Sequence, residues 1–144
     1  MSATTPVIFW MRRDLRLQDN LALEAAIKSG HPVIPLFVFD PKILKSPRVG
    51  APRVKFMLAA LASMRTELHK HQRELLIRHG NPAEVIAQLI KEANATGLYF
   101  NIDYTPYARQ RDENVKSAVG QEVHTFHDRL LAAPGAVQKN DGGP

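Results

Sequence analysis

Four times along this chain a short apolar run gives way to a segment whose apolar residues recur at helical spacing, and that alternation restricts the fold more than any other feature. The runs are Val7–Met11, Val33–Phe39, Leu75–Ile77, Leu98–Phe100 and Val123–Phe126. The first two are almost continuous in Val, Ile, Leu and Phe rather than alternating, the pattern of strands buried on both faces of a parallel sheet. Between the runs lie four helical stripes. Leu23, Ala26 and Ile27 form the first, and Val54, Met57, Leu58, Leu61 and Leu68 the second. Ile86, Leu89, Ile90 and Ala93 form the third, and Ala108, Val115, Ala118 and Val119 the fourth.

Punctuation supports the same reading. Asn81-Pro82 followed by Glu84 is a cap, a first-turn proline and an N3 acid, and Thr105-Pro106 repeats the cap-then-proline signal. Ser29-Gly30 and Gly120 stand where helices should stop. The expectation is an α/β fold, a doubly wound five-stranded parallel sheet with helices on both faces and right-handed crossovers (Rossmann-like). At 144 residues the length is that of one domain, able to bury roughly two-thirds of its unfolded surface. We place that domain at residues 1–130. Residues 131–144, ending Asp-Gly-Gly-Pro, read as the start of a linker that stops before its destination.

Composition narrows the compartment and the partners. No apolar run approaches the ~18 residues of a membrane span, and "MSATTPVIFW" has no signal-peptide architecture. The chain has no cysteine, which excludes disulfides and thiolate chemistry and fits a cytoplasmic protein. Charge is uneven: residues 1–80 carry 13 Lys+Arg against 6 Asp+Glu, whereas residues 81–144 carry 6 against 8. A basic first half suits nucleic acid, an anionic cofactor or an acidic partner surface, and charge alone does not choose among them.

In an open α/β sheet ligands sit at the carboxyl ends of the strands, near the point where strand order reverses. The loops that matter are therefore 12–20, 40–53, 79–81 and 101–107. None contains a GxGxxG or GxxxxGK[ST] phosphate cradle, and no GxSxG is present. His69 and His71, two apart on a helix, point in different directions and make a poor metal pair. In "FWMRRDLRLQDN", Asp19 or Asn20 can cap the first helix, and Asp14 can pair with Arg12, Arg13 or Arg16. We read this stretch as a structural loop bracing a neighbouring domain. The basic loop after the second strand makes Arg53, at the mouth of a helix, a candidate anion or ring contact, since arginine offers both a fork and a stacking plane. Asn101, Asp103 and Tyr107 lie beyond the fourth strand, at a capped helix N-terminus. Arg109, Arg111 and Asp112 are expected on the exposed face of that helix.

These motifs carry a resemblance. "RRDLRLQDN" fits the opening signature of DNA photolyases and cryptochromes, and the resemblance continues through "FVFDP", "APRVKFMLAAL", "GNPAEVI", "NIDYTPYARQRDENV", "LLAAPGAV" and "NDGGP". It implies the family's N-terminal antenna domain, which holds a light-harvesting chromophore. FAD, damaged DNA and the light-driven splitting of pyrimidine dimers belong to a separate helical domain of the same protein. It also implies a chromophore pocket built from Phe39, Asp40, Ile43, Arg53 and Asp103, with Asn101 and Tyr107 beside them. Folate-using members carry an Asn-Glu pair where this chain has Tyr107-Ala108. A deazaflavin or flavin is therefore expected rather than methenyltetrahydrofolate. The same resemblance admits a cryptochrome photoreceptor without repair activity. A stand-alone nucleotide-binding module and direct DNA binding by the basic half are the readings outside it; the second would show a steep salt dependence.

Overall fold

The computed structural model describes residues 5–12, 15, 17–41, 51–103, 105–120 and 122–127, the side chains of 51–53 excepted. Their order is β1 (Val7–Met11), α1 (Leu21–Lys28), β2 (Val33–Phe39), α2 (Ala51–Lys70), β3 (Leu76–His79), α3 (Pro82–Ala93), β4 (Gly97–Asn101), α4 (Pro106–Ala118) and β5 (Glu122–Phe126). The five strands form one parallel sheet in the order β3-β2-β1-β4-β5. This is the doubly wound α/β architecture expected from the alternation. The linker expected at 131–144 lies outside the described residues.

Because β1 and β2 alternate their side chains across a sheet covered on both sides, each strand feeds two cores. Phe9, Met11 and Phe37 pack with Ala22, Leu23 and Ala26 of α1 and Leu61, Met64 and Leu68 of α2. Ile8, Trp10, Leu36 and Val38 face the other way, packing with Ile86, Leu89 and Ile90 of α3 and Val115 of α4. The α2 stripe is Met57, Leu61, Met64 and Leu68; Leu58, assigned to it above, is 49% exposed because it lies a further step around the helix. β3 runs two residues past its apolar run. Arg78 and His79 pair with Val38 and Phe39, since an edge strand needs backbone register rather than an apolar face.

The caps hold the strand ends in place. Asn81 accepts from the N–H groups of Ala83 (2.9 Å) and Glu84 (3.4 Å), and Thr105 Oγ1 accepts from Ala108 N–H (3.2 Å). Gly80, at φ +135°, makes the turn into α3, where an added Cβ would meet Val85 Cγ2 at 3.0 Å. No helix among the described residues is long and apolar enough to cross a membrane.

Candidate chromophore site

The strand order reverses between β1 and β4, and there the sheet opens the crevice in which doubly wound folds hold ligands. In this chain Arg12 reaches across it. Its Nη1 donates to Asp112 Oδ1 at 2.5 Å and its Nη2 donates to the carbonyl of Asn101. The guanidinium lies over the rings of Trp10 (4.7 Å) and Phe100 (4.8 Å), and the two ion-paired side chains are 7% and 9% exposed. Burial pushes the Asp112 carboxyl up, and the Arg12 and Arg111 guanidiniums pull it back. Asp14, Arg13 and Arg16 lie outside the described residues.

Asn101 adds a second tie. Its Nδ2 donates to Asn20 Oδ1 (2.8 Å), and its Oδ1 accepts from Ala22 N–H (3.1 Å). Asn20 Oδ1 also accepts from Leu23 N–H (3.1 Å), so the N-cap of α1 and the end of β4 are one hydrogen-bonded unit. Both asparagines are buried. Of the two caps considered for α1, Asn20 serves. Asn101, named among the pocket candidates, ties β4 to α1 through its side chain.

Beside these ties, a second polar group gathers at the end of β2. Asp40 is buried and accepts from the Tyr107 hydroxyl, a bond that spans from the strand end to the first turn of α4. Burial and this bond to a carboxylate push the Tyr107 phenol up to about 12. The phenol therefore stays a donor throughout the neutral range. Asp103, also buried, accepts from Thr105 N–H (3.3 Å) at the base of the same turn, close enough to Asp112 to raise its carboxyl further.

Arg111 stands behind Tyr107. Its guanidinium lies 5.7 Å from the Tyr107 ring and 5.3 Å from the Trp10 ring, with Nε 3.6 Å from Asp112 Oδ1. Its Nε and Nη2 are buried and have no hydrogen-bond acceptor. Arg111 and Asp112 are thus buried, not on the exposed face expected above. The reason is helical phase. Ala108, Arg111, Asp112 and Val115 follow i, i+3, i+4, i+7, so the charges ride on the same face as the stripe's alanine and valine. That spacing is the signal that could have found them.

The remaining pocket candidates divide. Phe39 points to the opposite face from Asp40, as strand alternation requires, and stacks on His79 (4.8 Å, 19°) with its edge towards Phe37. Arg53 belongs to the first turn of α2, and its side chain lies outside the described residues, as does Ile43. The structure brings together Asp40, Asp103 and Tyr107, adds Arg111, and sets Phe39 across the sheet from them.

This donor set suits a planar heterocycle. A carboxylate to accept, a guanidinium with unsatisfied N–H groups to donate and an aromatic cover are the few placed polar groups that fix a ring's orientation. Ala108, buried at the next position, supplies no carboxylate.

Comparison with known proteins gives this geometry a family. The DNA photolyase family model matches residues 7–144. A deoxyribodipyrimidine photo-lyase of Halobacterium salinarum is 38% identical over 95% of this chain and 31% of its own length. Cryptochrome-2 of Gallus gallus is 35% identical over 89% of this chain and 24% of its own. Among solved structures, an archaeal photolyase from Sulfolobus tokodaii, holding two FAD molecules and described as implying a novel light-harvesting cofactor, superimposes with a TM-score of 0.83. It is 32% identical to this chain, and the match covers 91% of this chain and 31% of that one. The chain spans less than a third of each of these relatives.

Proposed function

Because this chain belongs to the DNA photolyase family, we propose that it is the light-harvesting domain of a deoxyribodipyrimidine photo-lyase. In that role it carries an antenna chromophore and serves the FAD-binding helical domain of the full-length protein, which binds damaged DNA and repairs pyrimidine dimers. The observation that carries this reading is the group at the end of β2: a buried carboxylate bridged by a phenol, beside a buried guanidinium lacking acceptors.

When bound, the chromophore supplies absorption of near-ultraviolet or blue light and transfer of its excitation to FAD. The protein's residues only hold it. Asp40 accepts from a ring N–H or hydroxyl, Tyr107 covers one side, and Asp103 and the α4 N-terminus set the polarity of the rim. Ile43 and Arg53 are the further pocket candidates that the family resemblance supplies, whereas Phe39 stacks on His79 across the sheet and Asn101 braces α1. Ala108, standing where folate-using members have a glutamate, favours a deazaflavin or flavin over methenyltetrahydrofolate.

Cryptochrome-2 among the relatives favours one second reading, the same domain in a photoreceptor that signals without repairing. Titration of the purified chain with 8-hydroxy-5-deazariboflavin, FMN and methenyltetrahydrofolate, followed by chromophore emission, tests the shared part of both. Saturable, polarised emission is expected with one of the first two. Binding of the folate alone would overturn the choice of chromophore, and binding of none would overturn the antenna reading.

A further inference from the structure

Arg111 is the one described side chain with buried nitrogens that have no hydrogen-bond acceptor. A guanidinium N–H withdrawn from water without an acceptor costs free energy, so such a group persists only where something repays it. The fold does not. Asp112 already accepts from Arg12, and its Oδ1 lies 3.6 Å from Arg111 Nε, an ion pair without a hydrogen bond. Contact with the Trp10 ring at 5.3 Å needs a cation there but leaves the N–H edge idle. Nε and Nη2 share one edge of the planar group, the edge that offers two parallel donors to an oxygen acceptor.

Tyr107 covers this group. Its ring lies 5.7 Å from the guanidinium, and its hydroxyl is tied to Asp40. Yet Tyr107 is 38% exposed, so it is itself the boundary with solvent. Turning it outward breaks the bond to Asp40 and uncovers an acceptor and a donor together.

We infer that Arg111 is a ligand-anchoring residue and Tyr107 its displaceable cover. A bound heterocycle replaces the Tyr107 hydroxyl on Asp40 with its own N–H, and its adjacent carbonyl oxygen takes the free edge of Arg111. The ligand class is a planar ring with a lactam or imide edge, N–H beside C=O. This rests on the chromophore reading above and adds to it the residue that selects such an edge.

The test separates anchoring from architecture. Affinity for FMN and for 8-hydroxy-5-deazariboflavin is measured by emission titration for the wild type, Arg111→Met and Tyr107→Phe, alongside the melting temperature of each ligand-free chain. Arg111→Met is expected to bind at least tenfold more weakly while melting within a few degrees of the wild type, because its two unsatisfied donors serve nothing in the ligand-free fold and Asp112 keeps the Arg12 guanidinium. Tyr107→Phe, with no hydroxyl to release from Asp40, is expected to associate several-fold faster. A Met variant that binds like the wild type, or one that melts well below it, overturns the assignment of Arg111. An unchanged association rate for Tyr107→Phe overturns the cover. If the wild type binds neither compound, the choice of a flavin or deazaflavin falls and this inference with it, whereas wild-type binding that the variants lose or speed as expected upholds both.

Discussion

Tyr107 shows how much a single position carries. Its place in the sequence, two residues after a helix cap, marks it as near a strand end. Its hydroxyl's bond to Asp40, 67 residues away, exists only in the fold. The consequence is a proton held tightly. With the phenol at about 12 in the folded chain and 10.0 as its ordinary value, the folded state binds this proton more strongly than the unfolded chain does. The contribution to stability is complete below about pH 10 and is lost as pH rises from there through about 12. Phenolate absorbance should therefore show one of the three tyrosines ionising last, near pH 12, and Tyr107→Phe should remove that step. Over the same interval the melting temperature of the wild type should fall relative to the variant. Ionisation of all tyrosines near pH 10 in folded protein would contradict the bond. The Arg12–Asp112 pair makes a similar point: the opening motif advertised its charge, but only the fold supplies a partner 100 residues on.

At the level of elements, the local signals were sound where chemistry acts within a few residues. Asn81 and Thr105 cap the helices their sequences announce, because a cap bonds its own first turn. The misreadings came where an element's face is chosen by its neighbours. Arg111 and Asp112 looked solvated by residue type, yet helical phase turns them onto the sheet, and a guanidinium already standing at the end of β1 makes burial of Asp112 tolerable. Likewise Asn20 reads as an ordinary cap but also receives Asn101. The two caps should therefore behave differently. Asn81→Ala removes a cap exposed to water and should cost about 1 kcal/mol. Asn20→Ala also leaves the buried Asn101 amide without its acceptor, and should cost about 2–4 kcal/mol. Denaturant unfolding of the two variants measures the difference. Equal losses would mean that the Asn20–Asn101 bond contributes nothing.

For the whole molecule, topology decides where a ligand can go. The chain order and parallel sheet were legible because apolar runs and caps alternate without interruption, and right-handed crossovers then leave few arrangements. The site was legible as a set of loops but not as a constellation. Strand alternation sends Phe39 and Asp40 to opposite faces, and at the strand reversal Arg12 bonds to the end of β4 while Asn101 bonds to Asn20. Asp40, Tyr107 and Arg111 gather close to the only tryptophan of the chain, Trp10. That indole is a built-in reporter, because its emission overlaps the near-ultraviolet absorption of a deazaflavin or flavin. The most direct measurement is thus Trp10 emission as 8-hydroxy-5-deazariboflavin or FMN is added. The account predicts saturable loss of Trp10 emission, with the same midpoint as the rise of polarised chromophore emission. Trp10 emission that declines only in proportion to added compound, with no saturation, would contradict a chromophore site at these strand ends.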